Sequence, residues 1–182
     1  MELKRFVLAG VLLSGVFSGS LVAKESTLYL NSKIGFDVDG FSYSQEAYPC
    51  DVDQQLTDFV VKKAAQRGID IEAVDTPDKI FDQSKPLLAI DIQQLVLTPD
   101  VQYGPKSNQV LPKIMLKTAL NKYGDVQLET HQCAIATLSE FTSSSDILDM
   151  GTVATVCSAV RRCARNVSSD VVDWLEKSLN TK

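Results

Sequence analysis

His131 and Cys133 stand two residues apart in Thr130-His131-Gln132-Cys133, a stretch with strand character. On a strand such residues point to one face, which is the placement a Cys–His dyad needs if the imidazole is to draw the proton from the thiol. The competing reading has Cys133 in a disulfide and His131 as a surface or loop-facing strand residue. His131 is the one histidine in the chain, so a Ser-His-Asp triad would also depend on it. No Gly-x-Ser-x-Gly elbow accompanies it. The cysteines form no Cys-x-x-Cys pair, the spacing that zinc sites and thioredoxin-like redox centres use. Asp37-Val38-Asp39-Gly40 resembles the start of a calcium loop, but its twelfth position is Tyr48, where a bidentate Glu is required. It reads as a strand end and turn. No Gly-rich phosphate loop is present. The carboxylates are numerous, yet nothing singles out two of them as an acid–base pair. The sequence therefore assigns no catalytic residue, no metal and no cofactor.

The concentrated charge feature is Arg161-Arg162 with Arg165 one turn on. Guanidinium groups recognise carboxylate and phosphate in a planar, two-pronged geometry, so these three are the candidate partner-binding residues. The plainer reading is a solvated helix face. Lys113, Lys117 and Lys122 extend the basic area or guard an edge strand against pairing. The Ser143-Ser144-Ser145 segment and the Gly104-Pro105-Lys106 loop are candidate contact loops.

Compartment comes from the start of the chain. Lys4 and Arg5 precede an apolar run from Phe6 to Val22, and polar residues begin at Lys24. That order describes a secretory leader, expected at residues 1–23 with the cut after Ala23. The first cysteine is Cys50, too far downstream for a lipid anchor at the cut. Of 182 residues, 159 remain as a single domain spanning 24–182, and 16 basic against 22 acidic side chains give a net charge of −6. An acidic domain is a poor match for nucleic acid, whose binding rests on a basic face, or for anionic membrane surfaces. No stable membrane insertion is expected after cleavage, and the location is periplasmic or secreted.

All four cysteines, Cys50, Cys133, Cys157 and Cys163, fall after the leader, and an even number in an exported chain implies two bridges. Cys157 and Cys163 are six apart on an expected helix, about 240° of rotation and about 9 Å of rise. A bridge needs Cα atoms within about 7 Å, so these two should not pair. Cys50 and Cys133 each reach the final helix instead, with the choice of partner open; the plainer reading is one bridge and two buried thiols.

The elements that would position these groups are legible in outline. Residues 27–43 alternate as strand, with Leu28, Leu30, Ile34, Phe36 and Val38 on the apolar beat. Asp51 and Gln54 mark a capping box, and Leu56, Phe59, Val60 and Ala64 give a helical stripe. Gly68 followed by Ile69 stops that helix. Residues 69–74 form a short strand ended by Thr76-Pro77-Asp78. Leu87–Thr98, Ile114–Lys122 and Val126–Leu138 read as a three-strand antiparallel meander, the last two joined at Tyr123-Gly124-Asp125, with a polar loop over 99–108. A final helix from about Thr152 carries Val153, Val156, Val160, Val167, Val171, Trp174 and Leu175. The expected fold is α+β: a mainly antiparallel sheet with two amphipathic helices on one face.

The run Asp53-x-x-Leu56…Ala64-Ala65-x-x-Gly68-Ile69, then Leu87-Leu88-Ala89-Ile90-Asp91-Ile92 and a meander, resembles small Gram-negative envelope accessory domains. The TolB amino-terminal domain and the auxiliary lipoproteins of transport systems have this order. The missing lipobox departs from the lipoprotein members. The resemblance implies a non-enzymatic periplasmic role, binding or helping to assemble another envelope component. The other expectation is a secreted, disulfide-stabilised inhibitor of a hydrolase (a protease or muramidase), because a rigid loop loses little entropy on binding.

Overall fold

In a computed structural model, residues 28–36, 48–98, 101–104, 112–135 and 153–180 are described. The expected leader, the Asp37–Gly40 segment and Ser143–Ser145 lie outside them. The chain runs β1 (Leu28–Asn31), β2 (Gly35–Phe36), a 3-10 turn (Pro49–Asp51), α1 (Val52–Gln66), β3 (Ile71–Val74), α2 (Pro77–Ile80), β4 (Leu87–Thr98), β5 (Val101–Tyr103), β6 (Lys113–Lys122), β7 (Asp125–Ala134) and α3 (Val153–Asn180).

The class is α+β, but the sheet is not the one expected. It is mixed, with seven strands in the order β3-β1-β4-β6-β7, and β2 and β5 pair with β4. β1 lies parallel to β3 on one side and to β4 on the other, and β2 is also parallel to β4. β6 is antiparallel to both β4 and β7, and β5 turns back on the end of β4. The simple antiparallel meander is thus corrected to the flank of a mixed sheet. The reason is local: α1 connects β1 to β3, and a helical crossover returns the chain parallel. The described residues contain three α-helices rather than two. Pro77 at the start of α2 seeds a single turn where a plain break was expected. β5 occupies part of the expected polar loop.

Alternation sets the two faces. Leu88, Ile90, Ile92 and Leu95 of β4 stand opposite Leu120, Thr118, Leu116 and Ile114 of β6, and all are buried. A register shift between Ile92 and Gln94 absorbs one residue and keeps both ends of β4 in phase. Val167, Val171 and Leu175 of α3 and Leu56, Val60 and Ala64 of α1 complete the same core.

The stop of α1 follows the sequence. Gly68 has φ 75°, its N–H donates to the Ala65 carbonyl, and the Ile69 N–H donates to the Ala64 carbonyl at 2.9 Å. That is a Schellman pair with Ile69 buried beneath it. The start does not follow it. Asp51 makes no side-chain cap; Cys50 and Asp51 both have positive φ, which turns the Asp51 carboxylate out of capping geometry. The Gln55 side chain instead donates to the Cys50 carbonyl at 2.6 Å.

Cys50 is bridged to Cys157 and Cys133 to Cys163, with Cα–Cα distances of 5.3 and 5.4 Å. Cys157 and Cys163 do not pair, as the helical spacing requires. α1 and α3 run parallel in a steady register: Cys50 meets Cys157, Arg165 lies 5.4 Å over the Phe59 ring, Lys63 bonds Ser169, and Arg67 pairs with Asp173 and Glu176.

Candidate functional site

The tight turn between β6 and β7 holds Tyr123 at φ 57° and Gly124 at φ 97°. Two successive positive φ values give a type I′ hairpin, a turn that matches strand twist and normally carries Asn-Gly. A tyrosine in the first place is a steric outlier, and such outliers cluster at functional sites. Asn121 holds the turn by accepting the Gly124 N–H on its Oδ1 at 2.9 Å. The phenol is displayed to solvent, 68% exposed.

The segment after α2 faces this turn. Phe81, 79% exposed, shares one cleft with Ile80, Lys85, Leu87, Asn121 and Tyr123. Asp82 shapes the segment: one carboxylate oxygen accepts the Ser84 N–H at 2.8 Å and the other its hydroxyl at 2.7 Å. Those bonds, the backbone one first, hold the Asp82 carboxyl below the usual carboxylate range. Lys85 lies 5.1 Å over the Tyr29 ring.

The cleft opens onto the sheet face away from α1 and α3. Residues directly opposite in a ladder share a face. Leu87, Asn121 and Val126 therefore form one row, and Ala89, Ala119 and Leu128 the next. Val126 and Leu128 are more than half exposed. The third row, Asp91, Lys117 and Thr130, is polar. One quadrant of this face is thus apolar, rimmed by two displayed rings. It offers contact area and few groups for chemistry, since both Asp82 oxygens are engaged by Ser84.

The other candidates are dispersed. Cys133 is spent in its bridge, so it offers no thiolate to His131. His131 is not at the surface: it is buried on the inner face, its Nε2 3.1 Å from the Thr118 hydroxyl and its ring edge-on to Trp174. β7 carries it opposite Leu116, beneath α3. Burial pushes its pKa below the ordinary value, against the opposing pull of Glu129 and Asp170. Arg161, Arg162 and Arg165 are exposed on α3, with Arg165 laid on Phe59. The lysines do not extend that area. Lys122 reaches the Ser178 carbonyl at 2.9 Å, 17 residues beyond Arg161 and about 25 Å along the helix. Lys117 stands opposite Asp91 on the other face of the sheet. Among the described residues no three His, Cys, Asp or Glu side chains are grouped to hold a metal, and no helix is long and apolar enough to cross a membrane.

Sequence reasoning missed the apolar quadrant. Its signal was present in Tyr123 taking the place of the usual turn Asn, and in Val126 and Leu128 alternating on a strand whose other residues are mostly polar.

No protein-family model and no curated protein matches the chain. It is similar to a solved structure titled "Crystal structure of uncharacterized protein", at 14% identity and a TM-score of 0.44 over 82% of this chain and 93% of that one. A likeness of that degree carries no argument about function. Two disulfides are compatible with an exported protein.

Proposed function

We propose that this is a non-enzymatic periplasmic protein that captures another protein of the cell envelope on the apolar quadrant beside the β6–β7 hairpin. The observation that carries the reading is Tyr123, held in a left-handed conformation and exposed next to an exposed Phe81. Large aromatic side chains are enriched among the few residues that supply most of the binding energy of protein interfaces. The leader and the crossed bridges support the compartment, and the pattern resemblance to envelope accessory domains supports the class. The exposed Arg161 and Arg162 supply a second, electrostatic face on α3.

The test is crosslinking and affinity capture from the native periplasm, read by mass spectrometry. Phe81→Ala with Tyr123→Ala should lose the partner that the wild type retains, at an unchanged melting temperature. Capture surviving in that variant but lost in Arg161→Ala/Arg162→Ala/Arg165→Ala transfers the site to α3. Capture surviving in both sinks the reading.

A further inference from the structure

The two bridges interlock along the chain. Cys50 joins Cys157 and Cys133 joins Cys163, so the second bridge starts inside the loop that the first one closes and ends outside it. Neither bridge links cysteines that follow one another in the sequence. An unfolded chain favours the opposite pattern. Cys157 and Cys163 are six residues apart, whereas the native Cys133–Cys163 bridge spans 30. Loop closure weakens as about the 3/2 power of length, which gives the short loop an advantage of about tenfold. Order of delivery acts in the same direction. A chain that crosses a membrane behind an N-terminal leader presents Cys50 and Cys133 to the oxidant before Cys157 arrives. Both effects favour Cys50–Cys133 together with Cys157–Cys163.

That form cannot fold to the native structure. α3 is one helix through Cys157 and Cys163, and helical pitch sets the two about 9 Å apart along its axis, beyond the reach of a bridge. A Cys157–Cys163 bridge therefore denies α3 its first turns. It also keeps Val160 and Cys163, both fully buried in the native core, in water.

We propose that this chain is a substrate of a thiol–disulfide isomerase, a reduced dithiol protein of the exporting compartment that exchanges the consecutive pairs for the crossed ones. The isomerase thiolate attacks Cys163 Sγ, breaks Cys157–Cys163 and releases the Cys157 thiolate. That thiolate attacks Cys50 Sγ, forms Cys50–Cys157 and releases the Cys133 thiolate. Cys133 then attacks Cys163 Sγ in the mixed disulfide, forms Cys133–Cys163 and expels the isomerase thiolate. Three S–S bonds form and three break, with no net oxidation or reduction. The exchange ends at the native pairs, because Cys163 is then fully buried and an attacking thiolate cannot reach it. The inference rests on the exported location proposed above and asks nothing of the Tyr123 cleft.

The test has two arms. In the first, the reduced, unfolded chain is oxidised rapidly with diamide, and its bridges are mapped by acid digestion and mass spectrometry. The consecutive pairs should outnumber the native ones by about ten to one. A catalytic amount of a reduced bacterial periplasmic disulfide isomerase should then shorten conversion to the native pairs from hours to minutes. Native pairs dominating before the isomerase is added, or conversion that it does not speed, overturns the proposal. In the second arm, the native host carries an isomerase whose second active-site cysteine is replaced by alanine, so that it retains its substrates as mixed disulfides. This chain should be retained through Cys157 or Cys163. An oxidised chain that is never retained rejects the isomerase alone, and a chain that stays reduced in its host rejects the exported location as well.

Discussion

The two bridges close loops of very different length, and that difference sets the sharpest quantitative expectation. Cys50–Cys157 spans 107 residues and Cys133–Cys163 spans 30. A cross-link stabilises chiefly by removing conformations from the unfolded chain, more so for the longer loop. At 25 °C the chain-entropy relation gives about 4.8 kcal/mol for the long loop and about 3.6 kcal/mol for the short one, a gap of about 1.1 kcal/mol. Two variants isolate each bridge: Cys133→Ala/Cys163→Ala keeps the long loop, and Cys50→Ala/Cys157→Ala keeps the short one. Each is unfolded in urea when oxidised and again after reduction, so that every comparison is made on one sequence. With a slope of about 2 kcal/mol/M, reduction should move the midpoint by about 2.4 M in the first variant and about 1.8 M in the second. A shorter loop that loses as much as the longer one, or losses below about 1 kcal/mol in either, would refute the argument that these bridges act on the unfolded chain.

Three further outcomes follow from particular residues. His131 is the one histidine, so its ring protons titrate without overlap in an NMR spectrum, and its pKa should fall below 6.5. Because the folded pKa lies below the unfolded one, the unfolded chain binds the extra proton first; stability is full above about pH 6.5 and is lost as pH falls from there through the folded value. His131→Gln should remove that part of the acid slope in urea midpoints, and an unchanged slope rejects it. Tyr123→Asn should raise stability by about 1 kcal/mol by relieving the left-handed tyrosine while weakening partner capture; a lower urea midpoint would count against strain at the turn. Gly68→Ala should cost about 1 kcal/mol for its positive φ alone, since an added Cβ there meets open space. Gly104→Ala should cost more, because the same penalty is joined by a collision with the Gln93 carbonyl; equal melting temperatures for the two would contradict that contact.

What could be read from residues alone was whatever depends on near neighbours. The stop of α1 is written in Arg67-Gly68-Ile69, because a left-handed residue followed by an apolar one closes the last carbonyls within six residues. The stripe of α3 and the refusal of Cys157 to pair with Cys163 follow from helical pitch. The turn at Tyr123-Gly124 follows from the glycine and the alternation on either side. The start of α1 escaped the same reasoning: Asp51 has positive φ beside Cys50, which is bridged to a helix more than a hundred residues away, and neither feature is legible in a capping pattern.

Strand order was decided elsewhere. Leu28 and Leu30 alternate identically whether β1 runs parallel or antiparallel, so their pattern reports a buried face and nothing of its neighbours. The α1 crossover from β1 to β3 was the available sign of parallel pairing. The partners of Cys50 and Cys133, the burial of His131 under Trp174, and the meeting of Phe81 with Tyr123 all join residues far apart in the chain. Side-chain period and turn chemistry are local quantities that short segments carry with them. Which faces are covered, which edge is left open and which rings meet depend on how those segments pack, and only the assembled tertiary structure sets that.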